Sequence, residues 1–350
     1  MTLSALAKSL TPPFAFCGIG IARAGHPPEY HISTAPGIDA TEHSLFRAAS
    51  ISKIVTAETL RRVGANPRVL DVSIADLLGI PFHHPDFPQI PLTLRMLLSH
   101  TSGLNDAAGY LIRPGTDLPD WLMSHGANLF LPHQPGTYFS YSNLGYILIA
   151  AAAEVIGQDR FDHLARRLVL DPLGINGGFN WSGVSAAQRA NRLATYRCEG
   201  NSLIAQIDGD TPTDPVPTDY RPTADTATLS PQGGLRISLT GVLQLAQSLR
   251  KADPTPLWTP EMGPGDYQNG TFDGYSFGLQ TLQKPHFYPR PLIGHFANAY
   301  GFAGGVWWDD AAQTAFCYAL NGLPLGDESD AFRPEELAIF AAIAEAIDAG

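Results

Sequence analysis

The chain has 350 residues, 44% of them hydrophobic, with 33 acidic against 22 basic side chains and a net charge of −11. A chain of this length, with mean hydropathy near zero, buries a large core in one or two domains and carries no sign of disorder. Dispersed arginines and lysines on an acidic background exclude a nucleic-acid or anionic-membrane partner.

Residues 1–13 lack a basic stretch followed by a continuous apolar run, so no signal peptide is read and a cytoplasmic location is expected. Residues 14–22 alternate apolar and small side chains among β-formers, which predicts a strand, with 29–34 as its hairpin partner. Next comes Phe46-Arg47-Ala48-Ala49-Ser50-Ile51-Ser52-Lys53, which puts a hydroxyl and an amine at i and i+3 at the start of a helix. On one helix face the Lys53 amine can reach the Ser50 hydroxyl and take its proton. Unpaired N–H groups of the first turn favour negative charge developing on a carbonyl under attack. The spacing therefore predicts acyl transfer. Lys53 is one of four lysines in the chain, and the apolar residues 54, 55 and 57 follow it. Desolvation there lowers an amine toward a usable base. A helix-capping serine followed by a surface lysine would give the same tetrapeptide.

From about residue 58 to 225 the pattern is helical segments joined by Pro- and Gly-containing loops, with amphipathic runs at 93–99, 144–156 and 161–170. The apolar stretch 146–156 is too short to span a bilayer. His83-His84, between Pro81 and Pro85, reads as a loop and not as a metal site. Pro135-Gly136 leads through Tyr141-Ser142-Asn143 into an apolar helix. A phenol there can relay a proton, and the amide can hold Lys53 or a substrate carbonyl. Ser and Asn also cap helices in any protein. Residues 208–225, rich in Asp, Thr and Pro, mark a long loop or linker. After it come a helix at 239–250, strand-like runs at 276–282, 304–308 and 314–321, and an amphipathic helix at 335–347. Cys17, Cys198 and Cys317 form no disulfide framework or metal spacing, and Cys17 and Cys317 lie in apolar strand-like runs expected to be buried.

Gly294-His295-Phe296-Ala297-Asn298-Ala299-Tyr300-Gly301-Phe302 completes an ensemble with Ser50-x-x-Lys53 and Tyr141-Ser142-Asn143. It resembles the penicillin-recognising serine hydrolases: class C β-lactamases, serine D-Ala-D-Ala carboxypeptidases, D-aminopeptidases and their esterase relatives. The segments Thr93-Leu94-Arg95-Met96-Leu97-Leu98-Ser99-His100-Thr101-Ser102-Gly103-Leu104, Asp171-Pro172-Leu173-Gly174-Ile175 and Pro231-Gln232-Gly233-Gly234-Leu235-Arg236-Ile237-Ser238 extend the resemblance through most of the chain. It implies an α/β (α+β) β-lactamase-like fold, a sandwich of antiparallel sheet and terminal helices with an inserted all-helical domain. Strands at both chain ends with a helical block between them fit the same architecture. The expected division is a sheet domain at 1–57 and 225–350 and a mainly helical domain at 58–224. The three motifs would meet in the cleft between them, on a helix, a loop and an edge strand.

Carried over by motif, the resemblance implies Ser50 as nucleophile, Lys53 as its base and Tyr141 as the acid/base. It implies Asn143 as the group orienting substrate and Lys53, His295-Phe296-Ala297 as the third motif, and the backbone N–H groups of Ser50 and Asn298 as oxyanion hole. No cofactor and no metal are expected. Whether Lys53 or Tyr141 takes the first proton stays open. His295 stands where most β-lactamases carry lysine; it is mostly neutral near pH 7 and would hold anionic β-lactams less firmly than neutral esters or amides. Ala297 stands where the family usually has glycine, and its methyl group would narrow the slot beside the strand. Phe296 counts as core. The leading expectation is an esterase-like serine hydrolase acting on a small ester or amide through an acyl-enzyme on Ser50, with β-lactamase activity as a further capacity. Two alternatives stand beside it: a D-amino-acid amidase or peptidase, or a β-lactamase proper; and a non-catalytic protein that keeps the fold. The partner is a small-molecule ester, amide or β-lactam, with no nucleic acid and no membrane.

Overall fold

A computed structural model describes residues 1–349 except 12, 65, 201, 211, 213–215, 267–270 and 325–331. Seven strands, β1 (Phe16–Arg23), β2 (Glu29–Thr34), β3 (Gly274–Ser276), β4 (Leu279–Leu282), β5 (Leu292–Ala299), β6 (Phe302–Asp309) and β7 (Thr314–Asn321), form one antiparallel sheet in the order β3-β4-β5-β6-β7-β1-β2. The helices that frame it and the site are α1 (Leu3–Ser9), α2 (Ser52–Val63), α3 (Asn143–Gly157), α4 (Leu239–Ser248) and α5 (Pro334–Asp348).

The small-and-apolar alternation of β1 has a direct packing cause. Cys17, Ile19 and Ile21 join a core cluster with Leu3, Leu6, Ile339, Phe340 and Ile343 of the two terminal helices. On the other face Phe16 and Ala22 pack with Leu239, Val242 and Leu243 of α4. Between them Gly18 and Gly20 let α4 come close: a Cβ at Gly18 would stand 2.9 Å from Leu239 Cδ2. Burying both faces makes this strand apolar in nearly every position. Cys17 and Cys317 are buried, as expected from their runs.

The segment expected as one strand at 276–282 is two, β3 and β4, joined by Phe277 and Gly278 with φ of 49° and 74°. This is the two-residue hairpin turn whose twist matches its strands. A Cβ at Gly278 would lie 2.6 Å from Lys53 O, so the turn presses its backbone onto α2. The third motif lies on β5, inside the strand order and not at its end. Its pairing with β4 stops at Gln280↔Gly294, and beyond that point no described strand pairs with its outer side.

Between β2 and α4 the helical runs appear as α2, Ile74–Leu78, Leu94–Leu98, Leu118–His125, α3, Phe161–Ala165, continued by a π turn at Arg166–Leu170, and Ala186–Ala190. Residues 144–154 of α3 are all buried, which explains its unbroken apolar sequence. β features depart from the helical reading: Phe139–Ser140 pairs with Gly265–Asp266. Thr195–Glu199 pairs with Ser202–Ile207, and Gly177–Phe179 pairs with Leu235–Ile237. The described part of the expected long loop at 208–225 is tied down at both ends. Asp208 pairs with Arg236 and accepts from Trp181 Nε1 at 2.9 Å. Near its far end Tyr220 Oη and Thr223 N each donate to the buried Glu154 carboxylate at 2.6 Å. Residues 211 and 213–215 of that loop lie outside the described ones. Among the described residues no helix is long and apolar enough to cross a membrane, and no His/Cys/Asp/Glu group is arranged to hold a metal ion.

Candidate active site

Ser50 sits in a 3-10 turn, Ala49–Ile51, one step before α2 begins. Ala49 takes a φ of 45°, a conformation costing a residue with a Cβ about 1–3 kcal/mol. The resulting sharp turn leaves Ala49 and Ile51 in the core and Ser50 half-buried. One turn on, Lys53 is fully buried. Its Nζ lies 3.1 Å from Ser50 Oγ, 2.7 Å from Asn143 Oδ1 and 2.9 Å from the Gln232 carbonyl oxygen. Burial, aided by the Arg47 charge and opposed by Asp106, pushes its pKa down to about 7. In the neutral amine, two N–H bonds satisfy Asn143 and Gln232, leaving the lone pair toward the Ser50 hydroxyl.

Tyr141 closes the other side. Its ring centroid is 4.7 Å from Lys53 Nζ, and burial holds its pKa well above the usual tyrosine value although a hydrogen bond with Ser50 works the other way. The phenol is therefore protonated at neutral pH. The loop that carries it is clamped by His100, a member of the 93–104 segment to which sequence reasoning gave no role. His100 takes a φ of 56°. Its carbonyl accepts from Ser140 N at 2.8 Å, its Nδ1 accepts from Ser142 N at 3.1 Å, and its ring lies 4.4 Å from that of Tyr141.

Asn143 opens α3, with Ser142 as N-cap accepting from Gly145 N at 3.1 Å. The side chain that fixes both is Asp106, which sequence reasoning missed. Its carboxylate accepts from Asn143 N at 2.9 Å, Asn143 Nδ2 at 2.8 Å, Ser142 Oγ at 3.2 Å and Leu144 N at 3.3 Å. A negative group over the first turn complements the helix dipole. By taking the amide N–H it also turns Oδ1 toward Lys53.

His295 is buried on β5, with Nδ1 donating to the Phe296 carbonyl and Nε2 accepting from Tyr275 Oη at 3.2 Å. Burial and then the Lys53 charge push its pKa down to about 3, so it is neutral throughout the physiological range. Among the described residues it makes no hydrogen bond to Ser50, Lys53 or Tyr141; its ring lies 6.3 Å from that of Tyr141. Ala297 packs in the apolar cluster with Ala49 and Ile51, so its methyl group is covered by core and does not line an open slot. Phe296 packs against Phe332, ring centroids 5.2 Å apart, as a core-facing residue. Its N–H donates to Gln280 Oε1 at 3.2 Å, on the side of β5 where β4 has ended. A period of two carries Asn298 N–H to the same side, and the Ser50 turn packs on β5.

The sequence matches the family model described as Beta-lactamase over residues 28–338. The chain belongs to the Beta-lactamase family. This is a family of serine hydrolases sharing one fold. Penicillin-binding protein 4* of Bacillus subtilis is 29% identical over 195 residues, half of this chain and 40% of that protein. A FimD protein of Dichelobacter nodosus serogroup D, named for fimbrial assembly, is 35% identical over 117 residues, 32% of this chain and 29% of that one. The chain thus spans less than half the length of these curated relatives. Among solved structures, D-amino acid amidase from Ochrobactrum anthropi SV3 complexed with L-phenylalanine amide superposes with a TM-score of 0.74 at 17% identity, covering 99% of this chain and 97% of that one. A β-lactamase/D-alanine carboxypeptidase from Yersinia pestis complexed with citrate gives 0.71 at 16% identity, over 98% and 99% of the two chains. At such identities the likeness is one of fold.

Proposed function

We propose that this protein is an esterase-like serine hydrolase that cleaves a small ester or amide through an acyl-enzyme on Ser50. The observation that carries the reading is the buried Lys53, its Nζ held 3.1 Å from Ser50 Oγ by two other acceptors. Ser50 Oγ attacks the substrate carbonyl carbon while its proton passes to Lys53. Of the two candidate bases, the neutral amine is available near pH 7, whereas the phenol of Tyr141 already carries its proton. The N–H groups of Ser50 and Asn298 receive the developing oxyanion. Tyr141 then hands a proton to the leaving oxygen or nitrogen and is reprotonated from Lys53. Water attacks the acyl carbon in the second half, with the same groups running in reverse. Asn143, held by Asp106, orients Lys53.

A second reading, hydrolysis of D-amino-acid amides, draws on the whole-chain likeness to the D-amino acid amidase. Turnover of a short-chain nitrophenyl ester, a chromogenic cephalosporin and D-alanine amide by wild type and by Ser50→Ala tests both. Loss of the preferred activity in the alanine variant supports Ser50 chemistry, and the preferred substrate decides between ester and amide. Undiminished activity in that variant refutes the assignment; no turnover of any of the three favours a non-catalytic protein.

A further inference from the structure

Three residues before Ser50 stands a second cation. Arg47 is half-buried, and among the described residues its guanidinium has no hydrogen bond and no ion pair; it lies 5.0 Å above the Tyr300 ring. Phe46–Arg47 pairs antiparallel with Leu235–Ile237, and the register partner of Arg47 is another arginine, Arg236. Arg236 makes the hydrogen bonds to the nearby carboxylate, donating to Asp208 Oδ1 and Oδ2 at 3.0 Å each, while Trp181 also donates to Oδ1. Burial and the Arg236 charge push Arg47 down to about 10, with Tyr300, Tyr110 and the Asp208 charge pulling the other way, so it still carries its proton at neutral pH.

The surroundings hold this group in place. Tyr300 and Gly301, with φ of 59° and 84°, form the tight turn between β5 and β6, which fixes the ring under the guanidinium. Gly233 also makes room: a Cβ there would come within 2.9 Å of Arg47 Nη2. Gly233 follows the residue whose carbonyl binds Lys53, and the Arg47 charge acts on Lys53, which brings the guanidinium near the Ser50 site. Its donors form a rigid fork that matches a carboxylate. A partly desolvated cation facing a like charge is unfavourable until an anion joins it. His295 is uncharged and Lys53 must be uncharged to act as base, whereas Arg47 is a permanent positive charge near Ser50 among the described residues.

We infer that Arg47 is the anion anchor of this site, and that the ester or amide cleaved at Ser50 carries a carboxylate held by that guanidinium. The inference rests on the hydrolase reading above and names its substrate class. It departs from the expectation, drawn from a neutral third motif, that uncharged substrates are preferred.

The test compares wild type, Arg47→Met and Arg47→Lys on two matched pairs. Mono(4-nitrophenyl) glutarate against 4-nitrophenyl valerate places the carboxylate on the acyl side; 3-acetoxybenzoate against phenyl acetate places it on the leaving group. In at least one pair the anionic member is expected to be preferred by kcat/KM, with the preference falling at least tenfold in Arg47→Met, mainly through KM, and partly restored in Arg47→Lys. Preferences that do not change between wild type and Arg47→Met overturn the inference, while loss of hydrolysis in Ser50→Ala would still support the hydrolase reading. Calorimetric binding of 3-carboxyphenylboronic acid against phenylboronic acid supplies a readout without turnover. The carboxyl group should tighten binding to wild type at least tenfold and give no such gain in Arg47→Met; an equal gain in both proteins, or none in either, refutes it.

Discussion

Replacing Asp106 with asparagine removes a charge while nearly keeping a shape, and its effect on Lys53 can be worked from the geometry. Hydrogen bonds of 2.8 and 2.7 Å run from Asp106 through the Asn143 amide to Lys53 Nζ. The carboxylate and the ammonium are therefore roughly 6–7 Å apart, worth about 2–3 kcal/mol at an effective dielectric near 20. That attraction favours the protonated amine and opposes the burial that pushes Lys53 down to about 7. Without it the amine deprotonates more easily. The acidic limb of the kcat/KM profile for a nitrophenyl ester should move to lower pH by roughly one to two units. The same substitution leaves donors from Ser142, Asn143 and Leu144 poorly matched, so urea unfolding should show a loss of about 2–3 kcal/mol. A limb that stays in place or moves upward, in a variant that shows this loss of stability, would refute the electrostatic link between Asp106 and Lys53.

Lys53→Met tests the burial of the amine through stability. With a folded pKa near 7 against the usual 10.5, the unfolded chain binds more protons between those values. The penalty is full below pH 7 and fades as pH rises toward 10.5. Wild-type stability relative to Lys53→Met should thus rise by about 3–4 kcal/mol from pH 7 to 10 in urea titrations, and a flat difference would show that the amine is not desolvated. Glu336 has the opposite sign: burial pushes it up to about 7 while Tyr318 Oη and Arg333 N donate to it. Its penalty grows as pH rises from about 4.5 to 7, so Glu336→Gln should gain about 2–3 kcal/mol over wild type at pH 8 and little at pH 4. Gly278→Ala forces a left-handed turn to carry a Cβ 2.6 Å from Lys53 O. It should cost about 2–4 kcal/mol in unfolding free energy and lower kcat along with it; a neutral substitution would show that the hairpin does not press on α2.

The parts of the site that were legible in the chain are those whose partners are close in sequence. Ser50 and Lys53 are one helical turn apart, and Ser142-Asn143 precede an apolar run that could only be a buried helix. Asp106 was invisible for the converse reason: its donors lie 36 to 38 positions away, and nothing in the neighbouring residues marks a carboxylate that serves a distant helix. Tyr275, which donates to His295 from 20 positions off, is hidden in the same way. The sheet was readable at both chain ends because strands buried on both faces leave apolar runs. The hairpin Thr195–Glu199 with Ser202–Ile207 is half-exposed and short of such runs. Alternating Leu203, Ala205 and Ile207 after Gly200-Asn201 was the signal available for it. The proposed substrate charge rests on a residue inside the quoted first motif, Arg47, whose significance lies in its having no ion pair among the described residues.

The central claim, acyl transfer through Ser50, is tested most directly by rapid acid quench of the wild-type protein with 4-nitrophenyl acetate, followed by peptide mass mapping. The account predicts a burst of nitrophenol and one acetyl group on the peptide containing Ser50, both absent in Ser50→Ala. Steady release of nitrophenol with the acetyl group on another residue, or an equal burst from the Ser50→Ala variant, would contradict it.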